Sequence, residues 1–167
     1  MANRTRRFSI LLVLTFCWTA MVSSVPAASE GTFNGTWDAN GSKEMLAFGG
    51  EREASLFKLS GHVRLTTNIG KEGDYWAECI GLADSETGSD IRCVWRSLKG
   101  DEIYLLMKGT RMEKGSSITG TIIGGTGAAK GITGTLRFTW SMIFKEEDNQ
   151  TGIGGFSNDL SGTYKLP

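Results

Sequence analysis

The feature that most constrains this chain is the run from Ile132 to Phe144, ITGTLRFTWSMIF. Ile132, Leu136, Phe138, Trp140, Met142 and Phe144 fall on one side, and Thr133, Thr135, Arg137, Thr139 and Ser141 on the other. That is a period of two sustained well beyond an ordinary strand, so it predicts a long β-strand with one dry face. Strands of such length usually serve a barrel or a strongly curved sheet. The preceding segment, GTIIGGTGAAKG, supplies a second β-patterned run and a glycine turn. The expectation is therefore an all-β, antiparallel fold.

The remaining chain repeats this grammar. Thr32 to Asp38 reads as a strand with Phe33, Gly35 and Trp37 on one face, followed by turn signals at Asn40-Gly41 and Gly49-Gly50. Leu56 to Thr67 reads as one long strand bent at Gly61 or as two strands meeting there. Tyr75 to Leu82 and Ile91 to Leu98 form a pair across a turn-rich linker. Glu102 to Met107, Ser117 to Ile123 and Leu160 to Leu166 complete the set, with an acidic turn at Glu146 to Gly152. No long amphipathic helical pattern appears after the first 27 residues. Gly162-Thr163-Tyr164 echoes Gly35-Thr36-Trp37, which suits two terminal strands that meet and close a barrel.

The N-terminus carries a different signal. Arg4, Arg6 and Arg7 precede an uncharged apolar run from Phe8 to Val22, and Val25 and Ala27 are the small residues of a cleavage site. This predicts a secretory signal over residues 1–27 and a single barrel domain over 28–167. The run of about 15 residues is shorter than the roughly 20 needed to span a bilayer. No membrane span is expected after cleavage, and the protein is expected in the periplasm or outside the cell.

Cleavage leaves 15 of the 18 basic residues against all 18 acidic ones, a net charge of −3. Without a basic cluster, nucleic acid is not an expected partner. Cys79 and Cys93 remain as an isolated pair, which export predicts to be a disulfide. Paired directly opposite, they set Ala77 against Trp95 and Gly81 against Ile91 on a small, apolar face. The other face then carries Trp76 against Arg96 and Ile80 against Arg92.

The segment IIGGTGAAKGITGTLRF resembles the glycine-rich strand–turn–strand signature of the allene oxide cyclase and dirigent barrels. With Arg92-Cys93-Val94-Trp95, Gly100-Asp101 and the aromatic strand from Phe138, the chain is most similar to exported bacterial members of that group. The resemblance implies a single antiparallel barrel of about eight strands, and in the plant members a trimer. It gives Gly124, Gly125, Thr126, Gly127, Gly131 and Gly134 a structural role in turns and transfers no catalytic residue. Phe33-Asn34-Gly35-Thr36-Trp37 also resembles the opening strand of lipocalins and avidins, which implies a ligand carrier.

Chemistry is sparsely signalled. His62 is the only histidine, so neither a histidine metal cluster nor a cofactor is expected, and two thiols with one imidazole make a poor metal site. Glu78, Arg92 and Arg96 form a polar cluster that would hold an anionic or zwitterionic ligand if it faced inward, and would be a surface ion-pair group if it faced out. Lys99-Gly100-Asp101 turns the chain, and with a two-residue turn Trp95 is expected beside Tyr104 or its neighbour Leu106. Together with Phe138, Trp140 and Met142 these would line the interior, as packed core or as an apolar cavity. The expected role is an exported binding or structural module, with a small apolar ligand and further copies of the chain as partners. The alternatives are a barrel isomerase or cyclase and a lipocalin-like carrier.

Overall fold

The computed structural model describes residues 29–47, 49–145 and 152–167; the expected signal and most of the acidic turn lie outside them. Eight strands run in order: β1 (Ser29–Ala47), β2 (Glu53–Thr67), β3 (Glu72–Asp84), β4 (Gly88–Ser97), β5 (Glu102–Arg111), β6 (Ser116–Gly125), β7 (Thr133–Lys145) and β8 (Gly152–Leu166). Each pairs antiparallel with the next, and β8 pairs with β1 to close an up-and-down barrel. Closure removes both sheet edges, which is how the sheet avoids exposing unpaired backbone groups. The echoing terminal segments do meet: Phe33 lies opposite Gly162 and Gly35 opposite Leu160.

The β3–β4 register is the one that a bridge between Cys79 and Cys93 demands. The two cysteines are opposite and bonded, Ala77 faces Trp95, and Gly81 faces Ile91. Elsewhere the strands are longer than the sequence patterns show. Asn40-Gly41 does not turn, because both residues pair with β2 on one side and β8 on the other. A β-carbon on Gly41 would collide with the Lys58 carbonyl, so the glycine there permits a close strand approach. The real turn is at Gly49-Gly50, both with φ near +68° (68° and 67°). β2 runs unbroken through Gly61.

The face assigned to β5 must be corrected. Ser97 N–H donates to the Asp101 carbonyl, leaving a three-residue loop closed by Gly100 at φ 86°. Trp95 therefore faces Ile103, not Tyr104. One added loop residue exchanges the two faces of the strand. Ile103, Leu105 and Met107 are buried, while Tyr104 and Leu106 sit on the outer surface.

Inside, large side chains lie over glycines. The ring of Phe33 occupies the space above Gly162, and that of Phe57 the space above Gly81. A bulge in β8 between Ser157 and Leu160 keeps apolar residues inward on both sides of it. Asp159 pins that bulge, accepting the Thr139 N–H at 2.8 Å and the Ser157 hydroxyl at 2.9 Å. Burial pushes its carboxyl up, but these hydrogen bonds outweigh that and hold it below the ordinary range.

The GGTG segment sits at the end of the barrel where β6 leads into β7. Thr126 exchanges two hydrogen bonds with the Glu102 backbone, through its N–H (2.9 Å) and its hydroxyl (3.0 Å). The Asp101 carboxylate accepts the Ala128 N–H at 3.1 Å and lies where a side chain on Gly127 would have to go. The motif thus fastens a short 3-10 turn, Gly127–Ala129, to the start of β5.

Candidate functional site

Among the described residues, the other end is open. Where the β1–β2, β3–β4 and β5–β6 hairpins meet the β7–β8 end, a cavity of about 390 Å³ enters the barrel. Its origin is a row of small residues in register across four strands: Ser55 opposite Ala83, Ala83 opposite Ser89, and Ser89 opposite Gly109. Ser55, Ala83 and Ser89 point inward with side chains too small to fill the lumen, and Gly109 makes room for Ser89.

The inner wall is aromatic and aliphatic. Trp37, Phe57, Leu59, Phe138, Trp140 and Ile153 line it. Trp37 meets Phe138 edge-on, with ring centroids 5.3 Å apart and planes at 80°, and Trp140 at 5.1 Å and 52°. Such pairs fix the wall's shape as well as burying area. Trp37 is 3 % exposed, and its indole N–H has no hydrogen-bond partner among the described residues. The disulfide adds a rigid point to the wall, since Cys79 also borders the cavity.

The rim mixes thioethers and charges. Met45, Met112 and Met142 come from three different hairpins and are each about half exposed (46 %, 46 % and 50 %). Flexible, polarizable side chains at an entrance adapt to ligands of different outline. Lys43, Glu53, Asp84, Arg111 and Glu113 complete the rim. Arg52 grips Asp84 with Nη2–Oδ2 at 2.8 Å and two longer bonds from Nε, tying the β1–β2 loop to the end of β3. The same guanidinium, with the Glu86 and Thr87 N–H groups, lowers the Asp84 carboxyl to about 2.

Of the residues expected to line the interior, Phe138, Trp140 and Met142 border this cavity. Trp95 is fully buried at the filled end, with Tyr75 at 6.3 Å between ring centroids. Tyr104 and Leu106 are outside the barrel for the reason given above.

Glu78, Arg92 and Arg96 also point outward. Arg96 bridges Glu78 (3.0 Å) and Glu102 (2.9 Å), and Tyr104 donates its hydroxyl to Glu102 at 2.8 Å. Hydrogen bonds from Tyr104 and Arg96 lower the Glu102 carboxyl, and the bond to Glu102 raises the Tyr104 phenol. Arg92 donates to the Ile91 carbonyl at 3.1 Å. This is a surface network and does not reach the cavity. Among the described residues no group of three or more His, Cys, Asp or Glu could hold a metal ion.

No family model and no curated protein matches the chain. It is similar to a solved structure, that of a pterocarpan synthase dirigent protein, with a TM-score of 0.47 and 14% identical residues. That match covers 83% of this chain and 92% of the other.

Proposed function

We propose that this chain is an exported binding barrel that holds one small, mainly apolar molecule in its open half. The observation that carries the reading is the cavity of about 390 Å³ walled by Trp37, Phe57, Phe138 and Trp140. A concavity of that size with an apolar wall and a few polar groups at its rim matches sites that take small organic ligands. Transfer of the ligand from water would supply roughly 25 cal/mol per Å² of apolar surface buried. Met45, Met112 and Met142 would adjust to the ligand's outline, while the Arg52–Asp84 pair holds the mouth in place.

Export is supported by the basic n-region, the apolar run and the buried Cys79–Cys93 bridge. No helix among the described residues is long and apolar enough to cross a membrane. Native mass spectrometry of the protein purified from its own export pathway tests the reading. The expected spectrum shows one extra small mass per chain that organic solvent releases. A bare chain that also fails to take up apolar probes would refute it.

A further inference from the structure

A second concavity lies on the outside of the barrel, across β1, β2 and β3 beside the β8 junction, and measures about 470 Å³. Ala39, Gly61, Gly154, Gly155 and the exposed Ile143 of β7 border it. Its polar border is set by register. Asp38 lies opposite His62 and His62 opposite Trp76; one step along, Asn40 lies opposite Ser60. The period of two directs all five outward from neighbouring strands.

Trp76 dominates this groove. It is 47 % exposed, whereas the other tryptophans among the described residues are buried at 8 % or less. His62 meets it edge-on at 6.1 Å and 74°, which holds the indole in place. His62 Nδ1 is enclosed and has no hydrogen-bond partner among the described residues. The one ion pair across the groove among the described residues, Arg64 Nη1 to Asp38 Oδ1, is long at 3.8 Å, with both side chains about 60 % exposed (62 % and 60 %). Their hydrogen-bonding capacity is therefore largely open to an incoming group.

We infer that this outer groove is a saccharide-binding site, in which a pyranose ring lays a C–H face on Trp76 and shares its hydroxyls with Asp38, Asn40, Ser60 and Arg64. The chemistry selects this class. A wholly apolar ligand would desolvate Asp38 and Arg64 without replacing their water. An anion would meet Asp38 with only Arg64 to hold it. A sugar has one flat apolar face and a ring of groups that both donate and accept, matching an exposed indole flanked by a carboxylate, an amide, a hydroxyl and a guanidinium. The site stands apart from the internal cavity and does not depend on it.

The test is titration of the purified protein with cellotetraose, chitotriose and mannotriose at millimolar concentration, followed by the indole N–H signals in ¹H–¹⁵N spectra. With at least one saccharide, the Trp76 signal should move while those of Trp37 and Trp140 stay fixed. Trp76→Ala should weaken that binding tenfold or more without lowering the melting temperature. Asn40→Ala should weaken it severalfold, an independent check if Trp76→Ala folds poorly. No movement with any of the three saccharides, movement confined to Trp37 and Trp140, or binding that survives both substitutions would overturn the inference.

Discussion

The two halves of the barrel interior are made by the same eight strands and differ in side-chain volume. At the filled end, the inward row Ala77–Trp95–Ile103 is joined by Leu105, Leu136, Leu160 and Val63, all nearly inaccessible. At the open end the corresponding row is Ser55–Ala83–Ser89–Gly109. Backbone pairing is continuous through both, so the cavity is not a gap in the fold. It is a local choice of small side chains on a framework that the filled end and the disulfide already secure. Stability is thus concentrated in one half, which leaves the other free to trade packing for space.

Truncation at the filled end should produce the largest effect. Trp95→Ala removes a side chain that is 0 % exposed and should cost about 3–5 kcal/mol. Met142→Ala at the rim, where half the side chain is already in water, should cost less than about 1 kcal/mol. Denaturant melts of the two variants would break the comparison if the costs proved equal. Loss of the bridge comes next: Cys79→Ala with Cys93→Ala should lower stability by about 3 kcal/mol in the chain-entropy account.

Filling the open half is the reverse experiment. Ala83→Phe should leave stability within about 1–3 kcal/mol of the original, because it adds volume to empty space. It should nevertheless abolish uptake of apolar probes.

The smallest effect expected concerns pH. The Asp84 carboxyl is held at about 2, below its ordinary value, so its contribution is fully present above roughly pH 4 and is lost as pH falls toward 2. Asp84→Asn should flatten that part of the acid-unfolding curve. Its rim position also predicts a more mobile entrance, measurable as faster amide exchange in the β1–β2 loop.

Much of the frame was readable from residue order. The Cys79–Cys93 pairing, if direct, determines the register of two strands, and the alternation from Ile132 onward gives β7 its inward face. The β5 face was not recoverable by the same means, because it turns on whether the β4–β5 loop has two or three residues. That choice is made by Gly100 adopting a positive φ, which composition does not reveal. The cavity was hidden for a related reason. Ser55, Ala83, Ser89 and Gly109 are unremarked singly and become a row only when four strands are aligned. Trp76 was visible as a partner of Arg96 and His62 as the lone histidine, but the groove beside them also needs β1 and β8 to be adjacent, a contact made by closure.

The most direct test of the open-half account is equilibrium titration of the protein and its Ala83→Phe variant with the fluorescent apolar probe 1-aminoanthracene. The expected result is saturable binding of one probe per chain, displaced by the native ligand extract, and at least tenfold weaker binding to the variant. Equal binding to both proteins would place the probe elsewhere and contradict the claim that this cavity is the binding site.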